Sequence, residues 1–477
     1  MKKPVYDILI IGCGPAGIST ATIIGEKNKK LKIALIDAGH DYKKRHCFID
    51  HRKECMNCNP CNVISGYGGS LHYGDSVKLS KFPAGKHLVD LLGKKMANEY
   101  MNIALNKFIK KEATKKFVFP EKNFLPFKDI KCYPVATLNA DDVKLFLKKT
   151  YIKLKKTENL DLFLNTNVVS IKPLEEGSNF KIFCLNNKMN INLLANKIIF
   201  AGGRYGLRWC GKTAHDLGIN HSQSNPFLGL RFEGPKELFK EAGKIHPDLK
   251  LSFHKNGKYK IKTFCFCGGI GGGRIKTINY GAYTLLDGHV VVEKNNNRCP
   301  GNFALIIKNE SLNKEDYKIK NRINRIIFSY KNLPNRGRPV FQLYKDFKNK
   351  SKTMLSIDKI KASLGFLPSI NYIKNSDLSV FFNKEEHDFL CKTFEYIFQR
   401  LYSLSSLPKN VYTRKKILDN MLVMGLELEN SWDKLYLKPS METSVKNIYV
   451  AGDATGLAQG VLQAMVSGIA AANGCLK

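Results

Sequence analysis

The 477-residue sequence predicts an α/β fold: a Rossmann-like nucleotide-binding domain built from discontinuous segments, with an α+β domain inserted between its parts. Three observations predict it. An apolar strand close to the N-terminus runs directly into a glycine-rich turn and a helix. A second strand, glycine turn and small-residue helix follows more than 400 residues later. Between them lie two strand-like segments, in the order that a discontinuous domain of this kind requires.

Residues 5–11 are apolar and β-branched, the composition of a parallel strand buried on both faces. Gly12-Cys13-Gly14-Pro15-Ala16-Gly17 follows at once, and residues 16–26 read as a helix. The first glycine permits the tight turn, the second lets the backbone approach a pyrophosphate, and the third lets helix pack on strand. The helix N-terminus offers free N–H groups and a positive dipole end to the phosphates. A second strand, residues 31–36, ends at Asp37, twenty residues after Gly17, with Ala38 beside it. A carboxylate there is placed to accept hydrogen bonds from an adenosine ribose. These residues predict a dinucleotide site and leave FAD and NAD equally open.

Residues 447–450 form another short buried strand, followed by Ala451-Gly452-Asp453-Ala454-Thr455-Gly456 and a helix over residues 459–473 that includes Gly460. This resembles the C-terminal Gly-Asp signature of the glutathione-reductase-like FAD proteins. The resemblance implies that Asp453 hydrogen-bonds the ribityl chain and that the next helix points its N-terminus at the flavin pyrimidine ring. Two-electron reduction places negative charge near flavin N1 and O2, which such a helix end stabilises. Two central segments resemble the same superfamily. Residues 162–171 look like the strand that sets a valine backbone against the adenine, with Val168 the candidate. Residues 196–200 lead into Ala201-Gly202-Gly203-Arg204, where the chain returns past the cofactor. FAD is therefore the predicted cofactor.

Further landmarks narrow the match. Residues 39–47, Gly-His-Asp-Tyr-Lys-Lys-Arg-His-Cys, follow the acidic strand end, and Cys58-Asn59-Pro60-Cys61-Asn62 precedes Gly66-Tyr67-Gly68-Gly69-Ser70. Thr263-Phe264-Cys265-Phe266-Cys267-Gly268-Gly269 and Asn302-Phe303-Ala304-Leu305 come later. Together with both termini these resemble a bacterial family described as FAD-dependent, or NAD(FAD)-utilising, dehydrogenases. The likeness covers most of the chain in patches and is weakest over residues 306–435. It implies a redox flavoprotein and adds Arg45, Gly68 and Gly69 to the cofactor-side candidates. After the second glycine turn the family pattern has small residues and Ser-Asp-Gly-Lys-Leu. This chain instead reads Leu71-His72-Tyr73-Gly74-Asp75-Ser76-Val77-Lys78-Leu79, so the resemblance supplies no substrate.

Thirteen cysteines, an odd number in a long chain, do not read as a disulfide framework. Cys55, Cys58 and Cys61 have the spacing of the first three ligands of a ferredoxin-type Fe–S cluster, with Cys47 as a fourth, and the same thiolates suit zinc. The ferredoxin pattern's last cysteine and its proline are missing, so a packed, reduced loop is the competing reading. Cys265 and Cys267 flank Phe266 beside the glycine-rich stretch 268–273. Either one of them faces the flavin as a thiolate, or the two share a strand face and pack together. His72, Tyr73, Tyr205 and Arg208 stand beside predicted cofactor turns, and His72 and Tyr73 join the two cysteines as catalytic candidates. The 268–273 stretch is not a second Rossmann turn, because no apolar strand feeds it and no acid-ended strand follows.

The composition, 43% apolar, supports a large core and more than one domain. Net charge is +36, but the lysines are dispersed along the chain, which argues for compositional bias and against nucleic acid as a partner. A small-molecule substrate is expected. No stretch approaches the roughly 18 apolar residues of a membrane span, and a cytoplasmic protein is expected. The predicted division is residues 1–75, 131–212 and 435–477 for the FAD-binding domain, 76–130 for an insertion, and 213–434 for the substrate or cap domain. The function predicted is a dehydrogenase or reductase. A flavin monooxygenase and an RNA-modifying or RNA-binding flavoprotein are the alternatives. The electron partner stays open, NAD(P)H as an external donor included, since no second nucleotide domain is visible.

Overall fold

The computed structural model describes residues 5–109, 116–120, 127, 130–174, 179–187, 189–281, 283–292, 299–313, 315–408, 410, 413–429 and 433–477. Parts of the predicted 76–130 insertion lie outside the described residues. Strand Val5–Ile11 pairs in parallel with Ile33–Ile36 on one side and with Met189–Phe200 on the other. Leu160–Phe163 extends the sheet beyond Ile33–Ile36. The long strand Met189–Phe200 serves two neighbours. Its first half pairs antiparallel with Phe180–Asn186, and its end, at Ile198–Phe200, takes Ile448–Val450 in parallel. Three distant chain segments thereby meet in one sheet, whose central strands are apolar because both faces are covered.

The expected single strand over residues 162–171 is two strands. Leu160–Phe163 runs parallel to Ile33–Ile36, and Thr166–Pro173 turns away to pair antiparallel with Phe180–Asn186. Asn165, at φ +54°, makes the corner, a left-handed conformation that asparagine tolerates better than most residues.

Helices Pro15–Lys27 and Val461–Cys475 pack face to face on this sheet. Their approach is close because the facing residues are small. A side chain at Gly468 would collide with the Ala16 carbonyl, and the Ser19 and Thr20 hydroxyls donate across the interface to Met465 O (3.1 Å) and Gly468 O (3.0 Å). Helix Lys94–Phe108, from the 76–130 segment, buries Ala97, Met101, Ala104 and Leu105 in the same apolar core as Leu462 and Met465.

The second sheet is almost wholly antiparallel. Its order is Ser252–Lys255, Tyr259–Cys267, Pro300–Asn309, Phe227–Pro235, Leu422–Glu429, Val340–Leu343 and Lys374–Asn375. Helix Lys384–Leu404 starts in a capping box formed by Asn383 and Glu386 and lays Phe394 on Phe232, with ring centroids 4.1 Å apart. In hairpin Gly273–Asn279/Thr284–Val290 the second strand contributes Asp287, Gly288, His289 and Val290 to the cleft described below. No helix among the described residues is long and apolar enough to cross a membrane.

Candidate functional site

A cleft runs along the carboxyl ends of the parallel strands, where open α/β sheets place their ligands. Two cavities make it. The larger encloses about 1250 Å³ and opens to solvent; the smaller, of about 530 Å³, is lined by Ala38, Val168 and Trp209. Gly12, Asp37, Ile64 and Gly202 line both, so the two cavities adjoin.

Its floor is backbone. Gly12 sits at φ +111°, and a side chain there would collide with the Ala201 carbonyl; one at Gly17 would collide with Gly12 O. At Gly14 the space is open, the nearest atom being Gly69 Cα at 3.8 Å, so the missing side chain leaves room for a ligand. Helix Pro15–Lys27 begins at Gly14 without a side-chain cap, and Val461–Cys475 likewise begins uncapped at Gly460. The first-turn N–H groups of each are left to a ligand or water. Beside the second, the fully buried Gln463 donates to Ser80 O (2.9 Å) and Ala84 O (3.0 Å), while its Oε1 has no partner.

The predicted cofactor residues divide by position. Gly12, Gly14, Pro15, Ala16, Asp37, Gly69, Ala201, Gly202, Gly452, Asp453 and Gly460 line the larger cavity, and Ala38 and Val168 the smaller. Gly17, Arg45 and Gly68 line neither. Arg45 is buried, and its guanidinium donates to the carbonyls of Asn62, Val63, Tyr67, Gly69 and Leu71. It is the brace of the 62–71 loop, and burial lowers its pKa to about 10. The N–H of Gly68 donates to Cys13 O (2.8 Å), pinning that loop to the first turn. Asp37 accepts from the N–H groups of Cys13 (2.7 Å), Gly39 (2.8 Å) and Gly66 (2.7 Å), so its carboxylate clamps turn to loop as well as facing the cleft.

The opposite wall is charged. Arg204 bridges Asp287 (3.1 Å) and Asp453 (3.5 Å). Asp75 takes Lys276 Nζ (2.5 Å), His289 Nδ1 (3.2 Å) and His72 Nδ1 (3.3 Å); Lys276 also reaches Asp50 (2.6 Å), which Arg274 completes (2.9 Å). Burial pushes the Asp75 carboxyl up, but Lys276 and His289 outweigh it and hold the group well below the carboxylate range. Burial lowers the His72 pKa against the opposing pull of Asp75. The Nε2 atoms of His72 and His289 are buried and unpartnered, and both residues line the cleft. Asp50, His72 and Asp75 have ligand atoms within 4.8 Å of one another, yet the Lys276 ammonium already lies between the two carboxylates and satisfies their charge.

Of the remaining candidates, Cys265 lines the cleft, and its Sγ lies 3.7 Å from that of the buried Cys267. Tyr73 does not line the cleft. Its ring packs 5.7 Å from that of Tyr42, at the edge of the helical core. Arg208 is exposed, and Tyr205 lines the smaller cavity. The proposed ligands Cys47, Cys55, Cys58 and Cys61 are free thiols, and among the described residues no three cysteines gather within metal-ligating reach. Sequence reasoning missed Asp75, Lys276, Asp287 and His289. The one local signal for the last two was the triplet Asp287-Gly288-His289 on a β-rich segment.

No protein-family model matches the sequence, and no curated protein matches it. Solved structures similar to it include a flavoprotein/dehydrogenase from Cytophaga hutchinsonii, at 10% identity over 98% of this chain and 79% of that chain, with a TM-score of 0.34. CmlS, a flavin-dependent halogenase, is matched at 10% identity over 98% of this chain and 57% of its own, TM-score 0.39. The L-proline dehydrogenase of P. horikoshii is matched at 18% identity over 42% of this chain and 23% of its own, TM-score 0.19. The chain thus spans less than two thirds of the length of the latter two.

Proposed function

We propose that the protein is an FAD-dependent oxidoreductase of the dehydrogenase or reductase type, akin to the bacterial FAD-dependent dehydrogenases. One observation carries the reading: residues from the N-terminal, central and C-terminal segments, each predicted to hold one extended dinucleotide, line two adjoining cavities that share Gly12, Asp37, Ile64 and Gly202. The open space over Gly14, the two uncapped helix starts and the orphaned Gln463 Oε1 fit such a ligand. Bound FAD would supply reversible two-electron chemistry. Val168, Ala38 and Asp37 would hold its adenosine end, the Gly12–Gly17 turn its phosphates, and Asp453 with the start of helix Val461–Cys475 its ribityl and ring end.

The protein's own chemistry is proton handling. His72 and His289 share the Asp75 carboxylate through their Nδ1 atoms, which leaves Nε2 of each to give or take a substrate proton. Such a group suits removing a substrate proton as hydride leaves, or returning one as hydride is added. Cys265 is the second candidate on the same wall. The test is direct: acid extraction of the purified protein should release close to one FAD per chain. A folded, colourless protein that takes up no added FAD overturns the proposal.

A further inference from the structure

Strand Tyr259–Cys267 pairs regularly with Pro300–Asn309 as far as Phe264↔Ala304, then slips so that Cys267 opposes Asn302. One residue is therefore inserted, a β-bulge. Cys265 sits in it at φ +45°, a left-handed conformation that side-chain-bearing residues seldom adopt. In a regular strand the two cysteines would share a face with their Cα atoms about 6.6 Å apart. The bulge instead brings Sγ to within 3.7 Å of Sγ. Strain of this kind persists only where the surroundings over-determine it, and it concentrates at working sites.

The surroundings are specific. Cys267 is fully buried, and its S–H donates to Cys265 O (3.2 Å). A side chain at Gly273 would overlap Cys267 Cβ, so that glycine keeps the space the pair occupies. Lys78, held on Asp248 (2.7 Å) and Phe266 O (2.7 Å), points its ammonium at Cys265 Sγ from 3.7 Å. Arg231 donates to Cys265 O at 3.3 Å. The Cys265 thiol pKa is lowered, whereas those of Cys13, Cys47, Cys61 and Cys267 are raised by burial. The Sγ–Sγ contact with Cys267, in which either sulfur can donate, is the largest cause of the lowering, with Lys78 and Arg231 assisting against burial. Cys265 lines the cleft with its Sγ also 3.1 Å from Gly288 O, an acceptor for its S–H, and Cys267 is buried.

We infer that Cys265 and Cys267 form a thiol–disulfide exchange site that opens on the cleft and trades an electron pair with small organic disulfides. The Cys265 thiolate attacks one sulfur of the incoming disulfide, the S–S bond breaks, and the first thiolate leaves and takes up a proton. Cys267 gives up its proton, and its sulfur displaces the second thiolate from Cys265. Two protein thiols are oxidised by two electrons to one disulfide, and the small disulfide is reduced to two thiols that carry the two protons. Closing the bond needs the sulfurs to approach by less than about 2 Å.

The test uses purified full-length protein, equilibrated with reduced and oxidised glutathione at a series of ratios, acid-quenched, alkylated and mapped by peptide mass. The expected result is a single two-electron transition in which the peptide bearing Cys265 and Cys267 passes from two alkylated thiols to an internal disulfide. Cys267→Ser should stop at a glutathione adduct on Cys265, and Cys265→Ser should slow modification of Cys267 at least about tenfold. Free thiols at both positions across the whole range, or oxidation that joins either cysteine to a different one, would overturn the inference. The wild-type titration decides alone if a variant misfolds. It is read without reference to bound flavin, so the outcome stands apart from the proposed cofactor.

Discussion

The two walls of the cleft solve different problems with different materials. The wall beneath the parallel sheet is backbone: Gly12, Gly14, Gly202 and Gly452, small residues and two uncapped helix starts. The wall contributed largely by the 70–78 stretch and the second half of the chain is side chain, with Asp75, Asp287, His289 and Cys265 lining it and the fully buried Lys276 pairing Asp75 from behind. A backbone wall can be made only of residues that lack side chains, so it is intolerant of additions. A charged wall is built of mutually neutralising groups, so it is intolerant of removals. The first kind suits a ligand that several chemistries can share; the second sets which proton moves.

The sharpest test of this contrast is an addition at the glycine floor. Gly12→Ala should destabilise the fold by about 4 kcal/mol or more, since the methyl meets the Ala201 carbonyl at a φ that alanine avoids. Urea unfolding measures it, and a stable variant would mean that the turn moves freely. Next comes a removal among the buried charges of the second sheet, behind that wall. Arg231 is fully buried and forks onto both oxygens of Glu427, at 2.8 and 2.7 Å. Arg231→Met should cost about 3–5 kcal/mol by leaving a buried carboxylate alone, whereas changing both residues to apolar ones should recover much of it. Equal losses in the single and double variants would contradict that account.

The contrast also explains what the sequence makes legible. The first turn is contiguous, and its strand, glycines, helix and terminal Asp37 obey rules that operate over a few residues. The C-terminal Gly452-Asp453 unit is legible for the same reason. The charged wall is not, because Lys276 and Asp75 lie 201 positions apart and carry no spacing that marks them as partners. Arg45 shows the converse error: it belongs to a stretch that looks cofactor-bound, but its five carbonyl acceptors exist only once the 62–71 loop has folded around it. The corner at Asn165 was hidden because an apolar-rich run reads as one strand until its two halves find different neighbours.

A third test sits where the walls meet. Asp453 touches both, lining the floor beside Gly452 and accepting from Arg204. Asp453→Ala should weaken FAD binding about 10- to 100-fold, the loss of one charge-assisted hydrogen bond, with folding largely intact. Equilibrium dialysis of the stripped protein against FAD gives the ratio. An unchanged affinity would place Asp453 among the structural partners of Arg204 only.

The smallest expected effect probes the charged wall by pH. Burial lowers the His72 pKa, and the folded protein therefore keeps this ring neutral below pH 6.5, where the unfolded chain protonates it. The unfolded state binds the extra proton, so stability falls with pH from about 6.5 down to the folded value and is flat above it. His246, also lowered by burial, acts in the same window. Asp75 does not, since its carboxyl is held below 3.8 and is ionised in both states there. Between pH 7 and pH 5.5, His72→Gln should remove part of the acid-induced loss and leave the His246 share. Urea unfolding at the two pH values isolates it. Parallel losses in wild type and variant would show that the ring is as readily protonated inside the protein as outside, and that its burial does not lower its pKa.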